Sequence, residues 1–388
     1  MISLLGVGLD YAMLTKDPVR GDVWERQLLY AKMIKKGYFI IYSPKGLDLR
    51  ETQIADNLIA IPTNSRTRFH FVWDALRIGR QLCEKENFDV ITAEDPHATG
   101  LVGYLLKKLY NIPLNIQMHN SFINDRYWLK EDRLNPFLNS ISKWLVKNAD
   151  TIRVVGASEK KKLVQLGISE WRIEFVPVSV DISRFSAGNG QVMRKKLLED
   201  KYDTIVLFVG RLELEKDIPT LFRAFSLVTK ERPRSLLVIV GKGSRFEELK
   251  KLRKQLDIVQ NVKFLGAISH DILPEYYSAS DIFVLPSLFE GRGTVLVEAA
   301  LARLPVITTF HAGTDDVVED GETGFVFKQK DYATLAKKIL YLLDNQDMAR
   351  KMGQKCLQHT TERLKSINDV SLVVKLWEKT ATIGCNGF

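Results

Sequence analysis

The chain has 388 residues, 45% hydrophobic and 27% charged, with a formal net charge of +9. That length favours two domains, each able to bury a core, and the composition excludes a mainly disordered chain. The basic balance points to anionic partners, nucleotides or an acidic membrane surface; no nucleic-acid motif accompanies it, so nucleic acid is not expected as a partner.

The amino terminus, Met1–Asp10, lacks a basic start and a small-residue cleavage pattern, and reads as a buried strand rather than a targeting signal. Strands are expected near Ile2–Gly8, Phe39–Tyr42, Leu58–Ile61, Val90–Ala93, Leu114–Met118, Ile152–Val155 and Ile173–Val176, with helices between them such as Val23–Lys36 and Phe71–Lys85. The polar, Gly-containing stretch Pro177–Lys201 breaks this rhythm and reads as a linker. Strands resume at Ile205–Val209, Leu236–Val240, Val262–Leu265, Ile282–Leu285, Val306–Thr308 and Phe325–Phe327, followed by tail helices at Asp331–Leu343 and Val370–Lys379. Alternation of this kind, twice over, defines an α/β protein with two Rossmann-like, doubly wound domains. The expected boundaries are residues 1–180, residues 181–365, and a C-terminal helix in 366–388 that crosses back to the first domain. No apolar run is long enough to span a bilayer. Cys83, Cys356 and Cys385 are too scattered for a zinc site and read as reduced thiols, so a cytoplasmic protein is expected, soluble or peripheral at the membrane.

Two segments carry chemistry. In Glu290-Gly291-Arg292-Gly293-Thr294-Val295-Leu296-Val297-Glu298, a Gly-rich turn runs from a buried strand into a helix for which Thr294 is a plausible N-cap. Unpaired amides at such a helix start bind phosphate. A carboxylate before the turn and another one turn inside the helix can accept hydrogen bonds from ligand hydroxyls. Earlier, Gly210-Arg211-Leu212-Glu213-Leu214-Glu215-Lys216 follows the strand ending at Val209, at the sheet edge where ligands of open α/β sheets collect. Arg211 offers a fork for two oxygens and Lys216 a mobile point charge, so the two can converge on a diphosphate.

These motifs, with Phe264-Leu265-Gly266, Leu304-Pro305-Val306-Ile307-Thr308 and Asp320-Gly321-Glu322-Thr323-Gly324-Phe325-Val326, resemble the retaining glycosyltransferases of family 4, which adopt the GT-B fold of two Rossmann-like domains facing across a cleft. Phe88–Pro96 and Ile112–His119 extend the likeness into the first half. The resemblance implies that Arg211 and Lys216 hold the diphosphate of a donor. It assigns Glu290 to the donor sugar, Glu298 to the ribose diol, and Gly210, Gly291 and the amides of Gly293, Thr294 and Val295 to the donor's phosphate region. It places His119 against the donor sugar near the reacting carbon. Gly21 lies where relatives have a Gly-Gly loop, although one glycine is replaced by Arg20 or Asp22.

Arg292 departs from the aromatic or apolar residue of many relatives; it could pair with Glu290, contact phosphate, favour an anionic substrate or face solvent. His97 reads as a helix-start residue without chemistry, and Asp315 and Asp316 as helix caps rather than metal ligands. Arg66-Thr67-Arg68-Phe69-His70-Phe71-Val72-Trp73 with Arg77 and Arg80 mixes cations and aromatics, which suits either an anionic-lipid face or core aromatics beneath solvated charges. The first 180 residues hold 25 Lys and Arg against 20 Asp and Glu, too slight an excess to single out a membrane face. The resemblance implies transfer of a hexose-type sugar from a UDP- or GDP-linked donor to a glycan or lipid-linked acceptor, without metal or other cofactor. The alternative is a non-catalytic relative acting as a nucleotide-sugar-binding or regulatory subunit.

Overall fold

A computed structural model describes residues 1–16, 23–120, 122–311, 313–367 and 369–385. The chain divides into two compact units, Met1–Val178 with Asp369–Phe388, and Ser179–Asn368.

The first unit contains an eight-stranded sheet in the order β3-β4-β2-β1-β5-β6-β7-β8. Its strands are β1 (Ser3–Gly8), β2 (Lys36–Ile41), β3 (Thr52–Ala55), β4 (Leu58–Pro62), β5 (Val90–Ala93), β6 (Leu114–Met118), β7 (Thr151–Val154) and β8 (Ile173–Phe175). All neighbours pair in parallel except β3, which turns back antiparallel on β4. The apolar alternation did not anticipate β3, because Thr52-Gln53-Ile54-Ala55 buries one side chain only. The helix expected over Val23–Lys36 stops at Ala31, and Lys36 already belongs to β2.

β5, β6 and β7 are fully buried, yet they carry polar side chains that satisfy one another. Gln117 Nε2 donates to Thr92 Oγ1 at 2.8 Å, and Arg153 Nη1 donates to Gln117 Oε1 at 2.7 Å. The Arg153 guanidinium also reaches the carbonyls of Val176 and Pro177. Such a network is affordable in a core only when its members find partners. The helix Ser371–Cys385 packs on this unit through Val373, Val374, Leu376 and Trp377. Trp377, among the largest fully buried side chains, donates Nε1–H to Thr92 Oγ1 at 3.2 Å and meets Tyr30 edge-on.

The second unit holds six parallel strands in the order β11-β10-β9-β12-β13-β14. They are β9 (Thr204–Val209), β10 (Ser235–Val240), β11 (Val262–Gly266), β12 (Ile282–Leu285), β13 (Val306–Thr309) and β14 (Gly324–Phe327). Every residue of β9, β10, β12 and β13 is buried, as expected of strands covered on both faces. Each buried Val, Leu, Ile or Phe there contributes about 1.5–3 kcal/mol. The chain leaves β9 toward β10 on one side, while β12 occupies the other, with Phe283 opposite Leu207. The C-terminal ends of β9 and β12 therefore flank the topological switch point, where α/β sheets bind ligands. Pro177–Lys201 is not an irregular linker: it contains helices Ile182–Ser186 and Gln191–Leu198, whose Phe185, Met193 and Leu197 join the core.

Candidate active site

In the second unit the loops after β9 and β12 meet. Leu288 N donates to Glu215 O at 2.7 Å, tying their backbones together. The 3₁₀ turn Leu214–Lys216 then directs Lys216 inward, where Nζ pairs with Glu290 Oε1. Ser287 Oγ donates to the same oxygen at 2.8 Å. Lys216 and Glu290 are 9% and 7% exposed, so Lys216 is a buried, paired charge and not the mobile one read from its sequence. Burial would raise the Glu290 carboxyl pKa, but the charges of Lys216 and His311 and the Lys216 and Ser287 hydrogen bonds hold it below the usual value. Arg211 behaves differently: its side chain is 69% exposed, with Nη2 donating to Glu215 Oε1 at 2.6 Å. Gly210 lies under Gly241, whose φ of +140° and contact with the Gly210 carbonyl leave no room for a Cβ.

After β12 the chain passes Gly291 and Arg292 and reaches Gly293, which is the N-cap of the helix Thr294–Leu301 with φ +66°. Thr294 is thus the first helical residue and not the cap, and no side chain caps this end. The first turn of a helix leaves its N–H groups without intrahelical acceptors, and Gly293, Thr294 and Val295 stand at that end, a geometry suited to an anion. Arg292 does not face solvent. It is 3% exposed, with Nε 3.5 Å from Asp316 Oδ2. Burial lowers the guanidinium pKa and raises that of the Asp316 carboxyl, while their mutual attraction opposes both shifts. Asp315 and Asp316 belong to a 3₁₀ turn, Thr314–Asp316, with Gly313 at its cap, so Asp316 serves as the counter-charge of Arg292 and caps no α-helix. Gly313 is required here because a Cβ would fall 1.8 Å from the Arg292 carbonyl oxygen.

Glu298, one turn into the helix, is 5% exposed. Its Oε2 accepts from Tyr277 Oη at 2.8 Å, and its Oε1 lies 3.4 Å from His270 Nε2. Arg184 Nη1 is 3.0 Å from His270 Nδ1. Because a guanidinium only donates, Nδ1 accepts and the ring proton sits on Nε2, facing Glu298. Burial and the Glu298 charge push the Tyr277 phenol well above its ordinary pKa, so it stays a donor. His311, buried between the loops, has N–H bonded to Thr314 Oγ1 at 2.9 Å. Burial, opposed by Glu290 and assisted by Lys216, lowers its pKa to about 4.

His119 belongs to the first unit, where it follows β6 and lines a cavity of about 210 Å³ with Asp10, Arg26, Glu94, Gln117 and Arg153. Desolvation, with Arg153 and Arg26, lowers its pKa to about 3, so the ring is neutral. Glu94 accepts from Leu9 N at 3.0 Å, and burial raises its pKa to about 7. Gly8 has no side chain because a Cβ would meet that carboxylate at 2.6 Å. His97 is held by Ser142 Oγ at 2.6 Å from Nδ1 and packs against Phe122 and Trp128. Gly21 lies outside the described residues.

Of the residues expected from sequence, the second unit brings together Lys216, Glu290, Gly291, Gly293, Thr294 and Val295, with Gly210 and Arg211 on the adjoining loop. Sequence reasoning missed the roles of Tyr277, His270, His311 and Asp316 as partners. Their signals are single residues on elements distant in sequence, and nothing local ties Asp316 to Arg292. Among the described residues, no group of three or more His, Cys, Asp or Glu could hold a metal ion.

Two family models match this sequence: Glycosyltransferase Family 4 over residues 33–184, and Glycosyl transferases group 1 over residues 190–358. A curated relative, D-inositol 3-phosphate glycosyltransferase of Nocardia farcinica, is 30% identical over 271 residues, covering 67% of this chain. The chain spans 60% of that relative's length. Among solved structures, a sucrose-phosphate synthase of Thermosynechococcus elongatus aligns with a TM-score of 0.82 at 20% identity, covering 99% of this chain and 100% of that one. Anabaena HepE in complex with UDP-glucose aligns with a TM-score of 0.75 at 16% identity, covering 99% of each chain. The fold they share is that of GT-B glycosyltransferases. The chain belongs to the family 4-like glycosyltransferases of the GT-B type.

The two buried ion pairs make a test. Lys216→Ala strands the Glu290 charge and is expected to cost about 3–5 kcal/mol in urea denaturation, whereas Arg211→Ala should stay within about 0.5 kcal/mol. Arg292→Met should cost a similar amount to Lys216→Ala, and most of it should return on adding Asp316→Leu. A Lys216→Ala protein as stable as the parent would show that the pair is not formed in solution.

His311 gives a pH dependence. Its folded pKa of about 4 lies below the ordinary 6.5, so between these values the unfolded chain binds more protons. Its contribution is therefore complete above pH 6.5 and is lost as pH falls toward 4. His311→Gln should reduce the loss of stability between pH 7 and pH 5 by about 2 kcal/mol, read from urea midpoints.

Proposed function

We propose that this protein is a retaining glycosyltransferase that moves a hexose-type sugar from a UDP- or GDP-linked donor to a glycan or lipid-linked acceptor. The process served is cell-surface polysaccharide or glycolipid synthesis, at the cytoplasmic face of the membrane and in peripheral contact with it. The observation that carries the reading is the convergence of Lys216, Glu290 and an uncapped helix start at the switch point of one parallel sheet. The relative named a glycosyltransferase and the HepE complex with UDP-glucose support a nucleotide-sugar donor.

The chemistry follows from charge. As the donor bond breaks, negative charge grows on the departing diphosphate. Arg211, exposed on its loop, is free to swing from Glu215 to a phosphate oxygen, and the amides of Thr294 and Val295 add fixed donors. Lys216 supplies a positive charge already aligned by Glu290. Stabilising that charge is the main source of rate enhancement, and it is done by protein cations in place of a metal ion. Glu290 keeps the oxygen not held by Lys216 and Ser287 for sugar hydroxyls. With Glu290 so engaged, no carboxylate is assigned as a nucleophile, and the acceptor attacks from the face the diphosphate leaves. A phosphate oxygen of the leaving group takes the acceptor's proton.

Arg211→Ala should lower turnover by ~10²–10³-fold while leaving the melting temperature unchanged. Near-normal turnover would remove Arg211 from the diphosphate site. With UDP- and GDP-sugars offered in excess EDTA, product should form and keep the donor's anomeric configuration in early NMR spectra. An inverted centre, or activity restored only by Mg²⁺ or Mn²⁺, would overturn the mechanism. Donor binding without release of nucleotide diphosphate would leave only a non-catalytic subunit.

A further inference from the structure

In the first unit the helix Arg68–Cys83 has two unlike faces. Phe71, Ala75 and Gly79, four residues apart in turn, point into the core. Gly79 lets Leu106 of the helix Ala98–Tyr110 approach so closely that a Cβ would lie 2.7 Å from its Cδ1, which seats the helix firmly. On the other face Phe69 and Trp73, one turn apart, are 78% and 73% exposed. At 100° per residue, Arg77 and Arg80 fall on the same stripe as these rings, and Arg68 in the first turn and Arg66 just before the helix start are exposed near them. Among the described residues none of these four arginines has an ion-pair partner, although many other cations of the chain do. The aromatics singled out in the sequence are therefore not all core: only Phe71 is, and the two flanking rings stand in water.

Exposed rings flanked by unpaired cations on a firmly held helix fit a surface with negative charge outside and hydrocarbon beneath. Trp and Phe settle at such a boundary, and arginines gain from anionic headgroups. A second copy of the chain suits the stripe poorly, since a two-fold contact would set the same four cations against each other.

We propose that Phe69 and Trp73, ringed by Arg66, Arg68, Arg77 and Arg80, dock the first unit on an anionic lipid surface. This deepens the peripheral membrane contact in the functional reading above, and it stands or falls apart from the transfer chemistry because none of these residues belongs to the catalytic machinery.

The test is sedimentation of the full chain with phosphatidylcholine vesicles, with and without phosphatidylglycerol. Binding should require phosphatidylglycerol, weaken with salt, and shift Trp fluorescence to the blue, a shift lost in Trp73→Phe. Phe69→Ser with Trp73→Ser should weaken it at least ~10-fold. Arg66→Gln, Arg77→Gln and Arg80→Gln should each weaken it about fivefold. Donor hydrolysis without acceptor should be unchanged in every variant, which shows that they fold. No binding by the parent, equal binding to phosphatidylcholine alone, or binding unaffected by the substitutions would overturn the proposal. So would a concentration-dependent dimer, or a complex with a single-stranded oligonucleotide, that the Phe69→Ser and Trp73→Ser variant abolishes while the parent ignores vesicles. Vesicle binding in a protein that never releases nucleotide would leave this surface intact and sink only the transferase reading.

Discussion

Lys216 and Glu290 are 74 positions apart and meet because β12 lies directly beside β9 in a parallel sheet. That adjacency is the constraint on which the second unit's chemistry rests. A buried ion pair is a doubtful source of stability, since desolvating two charges costs about as much as their attraction returns. It does fix geometry. With Lys216 aimed at Glu290 and Ser287 bonded to the same oxygen, the positions of a cation and a carboxylate are set before any ligand arrives. Preorganised charge of this kind needs no rearrangement when a reaction develops charge of its own.

The next pair outward repeats the principle. Arg292 stands between two glycines on the loop after β12, and Asp316 on the turn after the neighbouring β13. Gly313 and Gly293 are what allow the two loops to approach, one by lacking a Cβ against the Arg292 carbonyl, the other by adopting positive φ at the helix start. A larger residue at Gly313 would separate the loops and withdraw Asp316 from the guanidinium. Glu298 is supported from a third direction by Tyr277 and by a His270 whose tautomer Arg184 determines. Each carboxylate assigned to the site thus has a partner from another loop or helix.

The first unit solves a different problem. Its central strands bury Thr92, Gln117 and Arg153, which are satisfied by one another, by backbone carbonyls and by Trp377 from the last helix. Beside them His119 and Glu94 have pKa values of about 3 and about 7, both moved chiefly by desolvation. Neutral imidazole and a readily protonated carboxyl suit hydrogen bonding to uncharged hydroxyls better than ion pairing does.

Sequence alone determined the α/β class, most strands of both sheets and the loops that carry Gly210–Lys216 and Glu290–Glu298. These are local signals: near-continuous apolar runs such as Thr204–Val209, glycines, and charges at fixed spacing beside them. It misplaced what depends on neighbours. β3 has too little apolar content to announce itself, and the helix ending at Ala31 gives way to a strand before its pattern stops. Thr294 reads as the cap, but the backbone puts Gly293 there in a left-handed turn. Lys216 reads as a mobile charge for a diphosphate, and Arg292 stays open between pairing, phosphate contact and solvent, because a local stretch shows no counter-charge. Only tertiary structure decided that both are buried, for burial and counter-charge come from β12 lying between β9 and β13, a fact no local stretch of sequence contains.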